Sequence, residues 1–334
     1  MKRAWILALA LPASLQAAGN PDFSLRSGAR SLAMGEVAAA ADQGLESLAW
    51  NPAGLAGQKD VQATLGHTDW VGLSAEQLFV AAPLGSGTLG LGGFYDSTPD
   101  LVQRDTTGQA TGSLSYRNLG GALAWGQSLG SLALGLEAGG WQVSNAGIAQ
   151  SGLQVDAGAQ YHLGSVVLGA AGFQVESEAS WQGSILWSVF QGSNSLRLGG
   201  GYISEGIDSR WGIGAELGFL NSLSLRAGWQ VGNQASVIQG LTGPTAGLGV
   251  QWGAFGLDYA WMPLGELGQV QRGQLSWKFQ GLHSTVGSSE SPAASASTTS
   301  VPAPASSKID AVPAKSEPEA PKKEVKLKFV VPAE

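Results

Sequence analysis

The chain contains no cysteine, so neither a disulfide bond nor a thiolate metal site can hold it together. Charged residues are scarce, at 13% of 334 residues. Beyond the N-terminus no window approaches the roughly 20 apolar residues of a membrane-spanning helix. The net charge of −7 argues against a nucleic-acid partner. If this protein enters a membrane it must do so as a closed β-barrel, because no other strand structure satisfies its backbone hydrogen bonds there.

Catalytic groups are equally scarce. The only histidines are His67, His162 and His283, and no two of them have the spacing of metal ligands on a helix. GxSxG-like strings arise freely among 50 glycines and lack the strand-to-helix setting of a nucleophile elbow. The sequence therefore predicts no enzyme activity, no catalytic residue, no metal site and no cofactor.

The N-terminus has the form of a secretory signal. Basic Lys2 and Arg3 precede a short apolar run, Ala4–Leu11, and a small-residue exit. We predict a signal peptide over residues 1–18, the alternative being an N-terminal membrane anchor. The mature protein is expected to be exported.

From Val61 to Phe279 apolar residues alternate with Gly, Gln and charged residues, as in Trp211–Phe219. This period of two indicates strands, because a helix would place apolar residues three and four apart. The pattern contains about fourteen strands, near 61–68, 76–83, 88–95, 117–127, 132–143, 151–163, 165–175, 182–190, 195–203, 209–219, 223–230, 245–252, 255–261 and 270–279. Most of these strands have about 8–12 residues, close to the roughly 9–11 that cross a bilayer when tilted.

Connections after even-numbered strands are short, whereas those after odd-numbered strands are longer, as at Asp96–Ser115, Ser144–Gln150 and Gly232–Pro244. Outer-membrane barrels show this alternation. We therefore predict an all-β, transmembrane antiparallel β-barrel of about 14 strands over residues 61–280. It would lie in the bacterial outer membrane, in contact with outer-membrane lipid, with both termini on the periplasmic side.

Aromatic residues at the strand ends fit this topology. They form two predicted bands, one at each membrane interface. The outer band comprises Trp70, Tyr95, Trp141, Tyr202, Trp211, Trp229 and Trp261. The inner band comprises Trp125, Tyr161, Phe190, Phe219, Trp252, Phe255 and Trp277.

A segment rich in Ala and Gly, Gly28–Leu55, separates the signal from the strands. Glycine on the inner face of many strands would leave room for an inserted backbone. Residues 19–60 are therefore predicted to be a plug in the barrel lumen. Within it, Asn51-Pro52 is either a helix cap followed by proline at the first helical position or a simple turn.

The motifs of this segment resemble those of the PorV/PorQ group within the FadL-like outer-membrane barrels. The resemblance covers Gly19 to about Gln280, and Glu36 and Gln43 depart from the family pattern. It implies a small plug, structural or gating, folded into the lumen. The plug-motif residues are Gly28, Ala29, Arg30, Met34, Gly35, Asp42, Trp50, Asn51, Pro52, Ala53 and Gly54.

Seven charged residues fall on the predicted inner face of the strands. They could form a catalytic group, but we expect a hydrogen-bonded charge ladder of the kind that lines barrels. These residues are Glu137, Asp156, Arg197, Arg210, Glu216, Arg226 and Asp258.

The last strand carries Leu275, Trp277 and Phe279, which resemble the closing signal that barrels present to their insertion machinery. Lysine is rare before this point and frequent after it, so residues 281–334 are predicted to be a separate periplasmic tail. Its Ser, Ala and Pro composition predicts disorder. The alternating Lys322–Val331 is either a strand added to a periplasmic partner's sheet or an accidental apolar end of a solubilising tail.

Three functions are consistent with the sequence. The resemblance to PorV-type proteins implies an accessory of type IX-like secretion that holds secreted cargo proteins at the outer membrane. The resemblance to FadL-type proteins implies a transporter that admits hydrophobic small molecules past the plug. The third function is a structural barrel that anchors a partner through its tail. The first of these is the principal prediction.

Overall fold

The computed structural model describes residues 28–36, 41, 43–70, 72–99, 101–145, 148–175, 178–205, 208–233, 243–263 and 268–279. The predicted signal peptide, the predicted tail and Asp42 lie outside the described residues.

Two short helices and a 3₁₀ turn precede sixteen strands. The helical elements are α1 (Ala29–Ala33), α2 (Ser47–Trp50) and the 3₁₀ turn Pro52–Leu55. The strands are β1 (Val61–Trp70), β2 (Leu73–Leu84), β3 (Gly87–Ser97), β4 (Leu101–Arg104), β5 (Ala110–Leu114), β6 (Tyr116–Leu129), β7 (Leu132–Asn145), β8 (Ile148–Leu163), β9 (Val166–Val175), β10 (Glu178–Phe190), β11 (Ser195–Glu205), β12 (Asp208–Phe219), β13 (Leu223–Asn233), β14 (Gly243–Trp252), β15 (Phe255–Pro263) and β16 (Gln269–Phe279).

Fourteen strands, all except β4 and β5, form a closed antiparallel barrel in chain order. The barrel closes between β1 and β16, which pair continuously from Val61 opposite Phe279 to Trp70 opposite Val270. Closure leaves no unpaired sheet edge, which is what a bilayer requires of strands. The predicted fourteen-stranded barrel is confirmed, and each predicted strand is present.

Tight turns join β2 to β3, β6 to β7, β8 to β9, β12 to β13 and β14 to β15. They lie at the end where β1 begins and β16 ends, called the turn rim below, and the opposite end is the loop rim. The long loop predicted at Ser144–Gln150 is wrong, because β7 runs to Asn145 and β8 begins at Ile148. The first four residues of β8 are exposed on both faces, so they show no alternation from which a strand could be predicted.

The long connection after β3 contains the β4–β5 hairpin, which the sequence analysis missed for the same reason. Its turn is ordered by Asp105, whose carboxylate accepts hydrogen bonds from the Thr107 hydroxyl and from the backbone N–H groups of Thr107 and Gln109. The Thr107 hydroxyl, followed by these N–H groups, holds the pKa of Asp105 below its ordinary value. This hairpin belongs to the loop rim and is exposed.

Apolar and polar side chains alternate with the apolar face outward. On β7, Leu136 is 63% exposed while the adjacent Glu137 is 5% exposed. In water this arrangement would be unstable, because a large apolar surface would be hydrated and a carboxylate buried. It is stable where hydrocarbon surrounds the barrel and polar groups meet one another inside.

The outer aromatic band is partly confirmed. Tyr95, Trp211 and Trp229 are exposed on the outer face, but Trp70 and Trp141 are not part of this band. Trp141 is 5% exposed, and Trp70 packs against the core formed by α1, β15 and β16. Both occupy inward positions, because Trp70 alternates in phase with buried Thr68 on β1 and Trp141 with buried Glu137 on β7.

Near the turn rim, Phe255 stacks on Trp277 at 5.3 Å between ring centroids, and Trp277 stacks on Phe279 at 4.3 Å. None of the helices within the described residues has the length and apolar character to cross a membrane.

Candidate functional site

The described part of the plug, residues 28–36, 41 and 43–60, lies in the lumen against the inward side chains of the strands. Asn51 has an extended backbone, and its side-chain oxygen accepts the N–H of Ala53 at 3.0 Å. Pro52 follows at the first position of the 3₁₀ turn, where its missing N–H costs nothing. Of the two interpretations left open for Asn51-Pro52, the cap is therefore the one observed.

Three aligned glycines on β6, β7 and β8 receive this end of the plug. Gly126 lies opposite Gly135, and Gly135 lies opposite Gly158. A Cβ atom at Gly135 would overlap the backbone of Pro52 and Ala53, and one at Gly158 would overlap the Asn51 side chain. The Asn51 amide also donates to the carbonyls of Ala159 and Ala170, each at 3.3 Å. Side chains at the three glycines would exclude the plug from this position.

Glycines on β12, β13 and β14 receive the other end of the plug, and they comprise Gly214, Gly228 and Gly247. Cβ atoms there would overlap the backbone of Met34 and Gly35 and the side chain of Ala33. The Thr245 hydroxyl donates to the Ala33 carbonyl at 2.9 Å. The plug therefore spans the lumen between two groups of wall glycines, as the glycine argument from the sequence requires.

Glu46 joins the two ends of the plug and fixes them to β16. Its carboxylate accepts the N–H groups of Arg30 and Ser31 in the first turn of α1, each at 3.3 Å. Gln274 donates to the same carboxylate at 2.8 Å and accepts the N–H of Ala29 at 3.1 Å. Arg272 is fully buried beside them and donates to Thr68 at 2.8 Å. Sequence reasoning missed these residues, although the alternation of β16 places both Arg272 and Gln274 inward.

Arg30 of the plug meets the lumen charges at Glu216. The Nε atoms of Arg30 and Arg226 each lie 2.7 Å from Oε2 of Glu216, and Nη1 of Arg197 lies 2.9 Å from Oε1. Nη1 of Arg226 also lies 2.6 Å from Oδ1 of Asp258. Five predicted residues thus form one group, the charge cluster, consisting of Arg30, Arg197, Glu216, Arg226 and Asp258. Its four wall residues carry two charges of each sign and are neutral without the plug.

The other predicted lumen charges lie elsewhere. Glu137 and Asp156 face each other across β7 and β8, and both are buried. Gln154 donates to Asp156. Arg210 pairs with Glu36 of the plug at 3.3 Å, and both side chains are almost fully buried. The lumen charges are therefore hydrogen-bonded or ion-paired, and only some of them touch the plug.

Glu36 is one of the two departures from the family pattern. Its φ of 59° lies in the left-handed region that favours glycine. Gln43 is the other departure, and its Nε2 atom lies 3.5 Å from Nδ1 of His162.

We predict that Glu36→Gly weakens plug retention. Glycine relieves about 1–2 kcal/mol of backbone strain, but removing one partner of a buried ion pair costs about 3–5 kcal/mol. Proteolysis of the reconstituted barrel should cleave the plug faster in E36G than in wild type. Equal or slower cleavage would contradict this prediction. It would mean that the relief of backbone strain at residue 36 offsets the loss of the ion pair with Arg210. Glu36→Gln, which keeps the strain and removes the charge, is the control and should loosen the plug further.

Towards the loop rim the inner wall mixes apolar side chains with buried polar ones such as Asp96, Asn118 and Arg210. The apolar ones are mostly buried and belong to the same alternating set that contacts the plug. They comprise Trp70, Phe94, Trp141, Val143, Phe173, Ile203, Met262 and Val270.

Among the described residues no three His, Asp or Glu side chains are grouped as a metal ion would require. His67 lies on the outer face, where Nδ1 is 2.7 Å from Oε1 of Glu76.

The closing residues Leu275 and Trp277 face outward on β16, and Phe279 is the last residue of that strand.

The structure is similar to solved toluene transporters. The Pseudomonas putida toluene transporter TodX aligns with a TM-score of 0.54 and 14% identity, over 75% of this chain and 96% of that one. The Ralstonia pickettii toluene transporter TbuX aligns with a TM-score of 0.54 and 15% identity, over 77% of this chain and 100% of that one. No protein-family model and no curated protein matches the sequence. The chain therefore shares the barrel fold of these two transporters.

Proposed function

We propose that this barrel admits small hydrophobic molecules through its lumen past a retained plug. The observation that carries the proposal is the set of apolar side chains, Trp141, Phe173 and Ile203 among them, that faces the lumen towards the loop rim. Contact with these side chains lowers the free energy of an apolar solute. Hydrated ions and sugars would instead lose hydrogen bonds to water there. The fold shared with the two toluene transporters supports the same substrate class.

The plug's contacts suit a displaceable barrier. The plug makes several polar contacts to the wall, among them the Arg30–Glu216 pair, but the wall part of the charge cluster remains neutral when Arg30 leaves. Displacement of the plug therefore leaves no net charge on the wall residues of the charge cluster. With the termini on the periplasmic side, as proposed, solute would enter at the loop rim and reach the plug from outside.

The test is the initial rate of labelled toluene uptake by intact cells with and without the protein. Expression should raise the rate, and Phe173→Gln should lower it because a buried amide repels an apolar solute. Trp252→Gln, at a position 84% exposed on the outer face, is the matched control and should leave the rate unchanged. No increase in uptake with the wild-type protein would overturn the proposal.

The secretion function predicted from the PorV/PorQ resemblance is supported by the plug motif alone. Arg30, Asn51 and Pro52 of that motif have structural roles here in seating the plug. A gentle pull-down from native outer membrane checks this alternative. Secreted proteins sharing a C-terminal sorting domain, recovered without any effect on toluene uptake, would favour secretion. A partner bound through residues 281–334 would favour the anchoring function.

A further inference from the structure

A concave groove of about 630 Å³ lies on the outer wall of the barrel across β9–β13. Its floor is bare backbone, because Gly183 and Gly200 occupy outward positions between strands that carry large apolar side chains. The raised edges are apolar side chains, which comprise Leu168, Ile185, Tyr202, Trp211, Ile213, Trp229 and Val231.

The groove follows from the local sequence of β11. Gly199, Gly200 and Gly201 leave this strand without side chains on either face. Gly200 pairs with Ile185 on one side and with Ile213 on the other. The wall is therefore thin at the centre of β11 and flanked by bulky residues.

The surroundings of the groove identify its environment as hydrocarbon. Ile213 is 67% exposed and Val231 is 56% exposed, which is compatible only with an apolar medium. At the loop-rim end, Tyr202 lies 5.0 Å from Trp181 and 4.6 Å from Trp211 between ring centroids. Clustered Trp and Tyr rings mark the membrane–water interface. The groove thus extends from the interface into the hydrocarbon.

We propose that this groove is a binding site for one acyl chain of a membrane lipid in the leaflet on the loop-rim side. The chain lies along the glycine floor, and the glycerol and headgroup region meets the Trp181–Tyr202–Trp211 cluster. The volume is within the range of about 300–1,000 Å³ typical of small-molecule sites. A flexible chain can follow a narrow concave floor, whereas a second barrel presents a convex wall that would touch only the raised edges.

The test uses vesicles of palmitoyl-oleoyl phosphatidylethanolamine containing a trace of the same lipid with a diazirine in one acyl chain. After illumination, crosslinked peptides are mapped by mass spectrometry. Labelling should concentrate on the outward residues of β10, β11 and β12 above the level at Leu65, Leu78 and Leu91 on the opposite wall.

The variant G183L/G200L fills the groove and should reduce this labelling to the level of the opposite wall. The control, G93L/G140L, adds the same side chains at outward glycines outside the groove and should leave it unchanged. Both variants are first checked for folding by heat-dependent gel mobility. Even labelling around the barrel, or labelling unaffected by G183L/G200L, would overturn the proposal. Crosslinked barrel dimers lost in G183L/G200L would assign the groove to a second copy instead.

Discussion

Gly135→Leu is expected to displace the plug from the β6–β8 glycines and to open the lumen to ions. A leucine Cβ would overlap the backbone of Pro52 and Ala53, which cannot rotate away as a flexible side chain would. Overpacking of this kind costs about 1–3 kcal/mol or more. A change of one or two kcal/mol shifts a two-state population by a factor of about 5–30. Open events in single-channel recordings should therefore be more frequent by a factor of this order.

The matched control is Gly273→Leu on β16. This glycine faces outward, and a Cβ atom there would meet no atom within 4 Å. It should leave the conductance at the wild-type level. If G135L and G273L behaved alike, the plug would not be held by the β6–β8 glycines in the way the structure describes.

Glu216→Gln is expected to destabilise the whole barrel. Glu216 accepts from Arg30, Arg197 and Arg226, and its side chain is about 5% exposed. The substitution removes the carboxylate that the three arginines share, while Arg226 keeps its pair with Asp258. Removing one member of a buried ionic group costs about 3–5 kcal/mol because uncompensated charge remains buried. The free energy of unfolding, measured by urea titration with tryptophan fluorescence, should fall by this amount.

Glu76→Gln provides the control for the loss of a carboxylate. Glu76 pairs with His67 on the outer face, where the two side chains are 48% and 57% exposed. A single exposed hydrogen bond contributes about 0.5–1.5 kcal/mol. Equal losses in E216Q and E76Q would show that the charge cluster contributes little to stability.

Arg30→Gln separates plug retention from barrel stability. The four wall residues of the charge cluster remain neutral without Arg30, so the barrel should lose less stability than in E216Q. The plug loses its ion pair with Glu216 and should become more accessible to protease.

The strand pattern could be predicted from the sequence because each strand faces two different media. A barrel wall with hydrocarbon outside and polar groups inside imposes a period of two on the fourteen barrel strands. The two inward tryptophans, Trp70 and Trp141, were misassigned because aromatic residues occur on both faces near strand ends. The β4–β5 hairpin was missed because an exposed hairpin has no apolar face to generate a pattern.

The sequence by itself determined the fourteen-stranded barrel, the position of the plug segment and the inward set of charged residues, since local alternation and glycine content encode them. Only the tertiary structure decided which of these residues meet. Arg30 and Glu216 are 186 residues apart, and Glu46 and Gln274 are 228 apart. Such contacts depend on the stagger of the closed barrel and on the path of the plug across it. No local sequence pattern contains that information. Alternation along a strand shows which face of the sheet a residue occupies, but not which residue it contacts.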